Sequence, residues 1–123
     1  MRDIETRTDI ETLIDAFYKR ILTDEHIGFF FTKVVALDWD VHIPIMYDFW
    51  ESILFDTDTY AGNPMLKHMA LHQKHALEPA HFERWLSLWE ETIQQHFKGT
   101  TATLAIEKAK QIGGLMQHKV QTY

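Results

Sequence analysis

The chain of 123 residues contains no cysteine. That absence excludes a disulfide framework, a zinc–thiolate site, an iron–sulfur cluster, a thiolate nucleophile and the C-x-x-C-H attachment of covalent haem. Glycine and proline are scarce, at five and three residues, so long segments run without punctuation and no repeats or low-complexity linkers divide the chain. No uninterrupted apolar run approaches the roughly 18 residues of a spanning helix. Basic residues are also in deficit, with 12 Lys and Arg against 18 Asp and Glu and a formal charge of −6. Nucleic-acid binding needs a basic stripe that displaces counterions from phosphates, and so is not expected. The charged start Met1-Arg2-Asp3-Ile4-Glu5-Thr6-Arg7 has neither an apolar signal core nor an amphipathic transit segment. A cytoplasmic protein with no membrane partner is the expectation.

What is present is aromatic and rich in histidine: eight Phe, four Trp, four Tyr and eight His. Without thiols, a metal would have to be held by His, carboxylate, Tyr or Met. The length suits a single domain, with a core from about 8 to 118 and short flexible termini. Thr8-Asp9-Ile10-Glu11 reads as a capping box, opening a helix whose positions 10, 13, 14, 17 and 21 are all apolar. Tyr18 lies beside that stripe and can point inward, where its hydroxyl needs a partner. Residues 27 to 37 predict short helical turns and an aromatic corner, or alternatively a buried strand. A second helix follows Leu37-Asp38-Trp39-Asp40, with Pro44 early in it and an inward stripe of His42, Met46, Phe49, Trp50 and Ile53. Residues 56 to 64 read as a loop, followed by a short helix from about Met65 to His72. Pro79 suits the first turn of a third long helix with Phe82, Trp85, Leu86, Trp89, Ile93 and Phe97 on one face, and Gly99 at its end. The threonines at 100, 101 and 103 are candidate caps for a last helix carrying Ala105, Ala109, Ile112 and Met116. Nothing alternates with period two for long, so the fold class is all-α.

Two constellations carry chemistry. His68, His72 and His75 fall at i, i+4 and i+7, which on a helix puts three imidazoles on one face and would serve a non-haem divalent metal. The H-E-x-x-H pattern that supplies a general base is missing, and an exposed turn explains the same residues. The second is the inward pair Tyr18 and His42, which face Met46, Trp50 and Trp85. Either they are core groups bonded to each other or to backbone, or they are the few polar points of an aromatic cofactor pocket. No G-x-S-x-G elbow, buried carboxylate pair or phosphate-cradling glycine loop occurs.

Phe17-Tyr18, Trp39-Asp40-Val41-His42, Phe49-Trp50, Tyr60-Ala61-Gly62-Asn63-Pro64-Met65-Leu66-Lys67-His68 and Phe82-Glu83-Arg84-Trp85-Leu86 come in a familiar order and approximate spacing. Over about Ile10 to Met116 the chain resembles the group III truncated haemoglobins. The resemblance implies a truncated globin, a two-over-two helical sandwich that holds haem b without covalent attachment. Residue by residue, it implies His68 as the proximal metal ligand, four residues after the Gly-Asn-Pro turn. Tyr18 and Trp85 match the distal tyrosine and tryptophan, and His42 the histidine at the distal entrance. Met46 and Trp50 would line the distal wall, and Phe31 resembles the corner aromatic that packs on the porphyrin. The segment between His68 and Trp85 is a few residues longer than the family pattern, so His72, and after it His75, remain alternative proximal ligands.

A haem iron that binds a diatomic gas needs one neutral imidazole and an open position opposite. Oxygen held there gathers negative charge, which the Tyr18 hydroxyl or the Trp85 indole N–H would stabilise, whereas carbon monoxide gains little. The resemblance therefore implies binding of oxygen, carbon monoxide and nitric oxide, slow oxygen release, and a role in scavenging, sensing or redox chemistry. A nitric oxide dioxygenase or peroxidase-like enzyme is the alternative, and would need a reductase partner. A non-haem metal protein built on His68, His72 and His75, and a plain helical interaction domain, are readings of other classes. A monomer or weak oligomer is expected.

Overall fold

The computed structural model describes residues 1–34, 38–58, 60, 62, 72 and 75–122. Four helices make up most of it: α1 (Arg7–Thr23), α2 (Trp39–Phe55), α3 (Pro79–His96) and α4 (Thr100–Thr122), with a π-helical turn at Phe30–Val34 between the first two. No strand occurs among the described residues, so the chain is all-α and the helical reading of the aromatic corner holds over 28–34. α1 packs on α2 and α3, and α4 packs on α3 and α2. The pair α1 and α2 thus lies over the pair α3 and α4, the two-over-two arrangement. Trp89 sits at the centre, 1% exposed, and its indole N–H donates to Ala105 O at 3.1 Å, joining α3 to α4. The small residues Ala102, Ala105 and Ala109, all buried, let the two helices approach.

The apolar positions expected for α1, Ile10, Leu13, Ile14, Phe17 and Ile21, are all buried. Its start differs from expectation. The capping box forms two residues earlier: Asp9 N–H donates to Thr6 Oγ1 at 3.3 Å and Thr6 N–H to Asp9 Oδ2 at 3.1 Å. Asp9 wins because it satisfies more donors, accepting also Glu5 N–H at 2.8 Å and both guanidinium nitrogens of Arg2. Glu11 instead accepts from Arg7 Nε at 3.3 Å.

The Arg2 guanidinium holds the Asp9 carboxyl at about 2, below its usual value, against the opposing cost of burial and with help from the Glu5 and Thr6 N–H groups. A carboxyl whose pKa is depressed by folding contributes stability at neutral pH, and that contribution is lost as pH falls from about 4 towards about 2. Asp9→Asn is therefore expected to lower the melting temperature at neutral pH and to close the gap to wild type over that acid range. A gap that stays constant with pH would refute this role for Asp9.

Three other boundaries differ from expectation. Pro44 falls within α2 rather than in its first turn, because α2 opens at Trp39 with Asp38 as cap, its carboxylate accepting Asp40 N–H at 3.1 Å. α3 closes at His96, ahead of Gly99. Gly99 has φ 148°, a conformation suited to glycine, and a side chain there would collide with the Asp3 carboxylate. Asp3 is also the cap of α4, accepting Thr101 N–H at 2.9 Å and Ala102 N–H at 2.8 Å. None of the threonines does this; Thr103 Oγ1 donates to Gly99 O. Ile4 and Val120 are buried as well, so the core takes in residues on both sides of 8–118.

Candidate functional site

Tyr18 occupies the inner side of α1 one turn after Ile14, and α2 crosses it so that His42 Nε2 comes within 3.2 Å of the Tyr18 hydroxyl. This is the partner that an inward tyrosine requires. Burial pushes the Tyr18 phenol well above its ordinary pKa, so it stays protonated and able to donate. The direction of the bond depends on the imidazole tautomer. With the proton on Nε2, His42 donates to the tyrosine oxygen, and the phenolic O–H is free to point at a third group.

Aromatic rings enclose the pair. Phe31, from the π-helical turn, stands edge-on to Tyr18 with ring centroids 6.1 Å apart. Trp39 lies 5.5 Å from Tyr18 and 5.5 Å from His42, edge-on to both, and 6.1 Å from Phe31. Trp39 was not among the site residues expected from sequence. The available signal was its i, i+3 spacing to His42, which puts both on one side of α2. Met46, one turn beyond His42, is half-buried against the core.

The two other tryptophans expected at the site stand differently. Trp50 is 3% exposed and stacks on Trp89 at 4.4 Å, inside the core rather than beside Tyr18. Trp85 is half-buried on α3 and touches Phe17 at 5.8 Å. Phe17 in turn touches Tyr18 at 5.4 Å, so Trp85 reaches the Tyr18 neighbourhood through Phe17. Its indole N–H has no hydrogen-bond partner among the described residues. The height of α3 at this point is set by Asp24, just past α1, whose carboxylate accepts Arg84 Nε at 2.8 Å together with His26 and Ile27 N–H. Burial works against that carboxylate's charge, but the Arg84 guanidinium and the two amides outweigh it and its pKa is lowered.

α2 is the most apolar of the four helices, yet Trp50 is its one fully buried residue. Ile43, Met46, Phe49 and Ile53 are only half covered by protein. An apolar wall of this kind beside a single polar pair is the character of a pocket for a large, flat, mostly apolar group. The donor set fits a haem on this side: one phenol, one imidazole and one indole N–H with no partner among the described residues.

His68 lies outside the described residues. Its two alternatives lie among the described residues. Leu77 N–H donates to His72 Nδ1 at 2.9 Å, which places the neutral ring's proton on Nε2 and leaves no lone pair for iron. A ligating histidine has the opposite arrangement, donating one ring N–H to an acceptor and presenting the other nitrogen to the metal. His75 is exposed and stands edge-on to Phe29 and Phe30 at 5.0 and 5.1 Å. His81 caps α3 by accepting Glu78 N–H at 3.0 Å. Among the described residues no three His, Asp or Glu side chains gather into a metal site, and no helix is long and apolar enough to cross a membrane.

Comparison with known proteins agrees with this geometry. Residues 3–120 match the family model described as bacterial-like globin. Over 117 residues the chain is 25% identical to a group 3 truncated hemoglobin of Campylobacter jejuni, a match covering 93% of this chain and 90% of that relative. The crystal structure of a group III truncated hemoglobin from Campylobacter jejuni superposes with a TM-score of 0.84 at 24% identity, over 98% of this chain and 95% of the other. That likeness establishes the two-over-two fold and agrees with the resemblance seen in the sequence.

Proposed function

The chain belongs to the bacterial-like globin family, and from that premise we propose that this haem-binding globin holds haem b non-covalently through His68 and binds oxygen and other diatomic gases on the Tyr18 side. The bound group supplies an iron with one open position for a gas. The protein supplies the rest. The observation that carries the reading is the Tyr18–His42 pair, a buried polar contact of 3.2 Å beside the half-covered apolar wall of α2.

In this reading His42 donates from Nε2 to the Tyr18 oxygen, which leaves the Tyr18 O–H to donate a hydrogen bond to a gas ligand that would gather negative charge in the pocket. Hydrogen bonds aligned in a chain strengthen one another in a low-dielectric site. Trp85 offers its indole N–H as a second donor from α3. Phe31, Trp39 and Met46 keep water out, which makes each of these bonds worth more. Donors of this kind favour retention of oxygen over rapid release, and so scavenging, sensing or redox work over transport.

Reconstitution with haem tests the reading directly. A Soret band that persists through gel filtration is expected, and ferrous protein should shift that band on exposure to carbon monoxide. A chain that folds but shows no Soret band would overturn the assignment. Metal analysis of the same sample would then judge the reading built on His68, His72 and His75.

A further inference from the structure

We propose that Trp85, Trp89 and Trp50 form an electron conduit that carries oxidising equivalents from the distal pocket to Tyr60. The inference rests on the haem reading, because that reading places Trp85 at the pocket. With no thiol in the chain, the indoles and phenols are the side chains most readily oxidised by one electron.

Their arrangement is particular. Among the described residues most ring pairs meet edge-on or tilted, and offset stacking is the other ordinary arrangement of aromatic rings. Among the described residues the two stacked pairs share Trp89: Trp85 lies 6.1 Å away and parallel within 3°, and Trp50 lies 4.4 Å away at 25°. Each step between neighbouring indoles is therefore short, and short separation between oxidisable rings is what electron exchange needs. Trp50 then meets Phe49 at 5.5 Å, and Phe49 meets Tyr60 at 5.1 Å.

The middle of the series is buried and both ends are half-buried. Trp89 and Trp50 are 1% and 3% exposed, so a radical passing through them is shielded from water and solutes. Tyr60 is half-exposed, held in place by its N–H, which donates to Ser52 Oγ at 2.9 Å.

The overall step uses a hydroperoxide as oxidant and a small phenol as reductant. In the pocket the hydroperoxide takes up two electrons and two protons as its O–O bond breaks, and leaves as an alcohol and water, or as two waters when it is hydrogen peroxide. Each electron departs from Trp85 and is replaced from Trp89, then from Trp50, and finally from Tyr60, which releases its proton. A phenol in solution restores Tyr60 by giving up one electron and one proton. Two phenols are converted to phenoxyl radicals for each hydroperoxide reduced.

The test treats holoprotein with hydrogen peroxide in the presence of a nitroso spin trap and locates adducts by peptide mass spectrometry. Tyr60 is expected to carry the main adduct in wild type, and apoprotein treated in the same way should carry none there. Trp89→Phe should lose the Tyr60 adduct while oxidation accumulates at Trp85 or Tyr18. Trp50→Phe interrupts the next step and gives the same readout should Trp89→Phe fail to fold. Tyr60→Phe should abolish the adduct at that position with none appearing on the shielded Trp50, and leave the oxygen dissociation rate unchanged. A Tyr60 adduct that survives loss of either indole, or its absence in a protein with a normal Soret band, would overturn the proposal. Absence of the Soret band itself would instead overturn the haem reading.

Discussion

A His68→Gly variant is expected to lose its haem on gel filtration, and imidazole added at millimolar concentration should restore the Soret band by entering the space of the missing ring. Even groups that only hold a metal ligand in place change affinity by about 10- to 100-fold when removed, so loss of the ligand itself should exceed about 100-fold. His72→Gly is the comparison that makes the result specific. His72 already accepts the Leu77 N–H at 2.9 Å, so it would have to break that bond and exchange tautomers before it could bind iron. Its replacement should leave the haem in place and cost only the stability of one hydrogen bond, about 1 kcal/mol. If His72→Gly loses haem and His68→Gly retains it, the proximal assignment is reversed.

Tyr18→Phe is expected to raise the oxygen dissociation rate by about 10- to 100-fold, the range that corresponds to losing one hydrogen bond to a charged acceptor. The rate of carbon monoxide dissociation should change much less, because that ligand gathers little charge. The substitution keeps the ring and its contacts with Phe31 and Trp39, so folding and haem content should be preserved. Stopped-flow measurement of both gases separates the electrostatic effect from a general loosening of the pocket. Equal acceleration of the two would point to loosening, and an unchanged oxygen rate would transfer the donor role to Trp85.

Much of the site was legible in the chain because helical periodicity is a local property. Tyr18 could be assigned an inward direction from its place between Ile14 and Ile21, and His42 from its place at the head of an apolar stripe. Their contact could not be read in this way, since it depends on the angle at which α2 crosses α1. Trp39 escaped notice for a related reason. It opens α2 and looks like a flanking residue until the fold brings Tyr18 and Phe31 against it. Trp50 shares a stripe with Met46 in sequence, yet stacking on Trp89 draws it into the core.

The helix starts divide along the same line. A cap chosen by sequence pattern assumes that the partner is local, and Asp38 at the head of α2 obeys that rule. The Thr6–Asp9 box is local too, two residues before the expected one, whereas the Asp3 cap is remote. Arg2 returns to neutralise Asp9 and so moves the start of α1 to Thr6, and Asp3 caps α4 from the far end of the chain.

By itself the sequence determined that this protein is a helical domain without thiol chemistry, that its helices carry apolar faces at fixed positions, and that one face mixes imidazole with aromatics and sulfur. Order and spacing then sufficed for a resemblance to truncated globins. Only the tertiary structure decided that Tyr18 and His42 touch, that His72 is engaged by its own backbone neighbour, and that three indoles stack in series through the core. Periodicity fixes the direction of a side chain relative to its own helix. Contact between helices depends on how many such faces fit together at once, and that is settled only when all of them are packed.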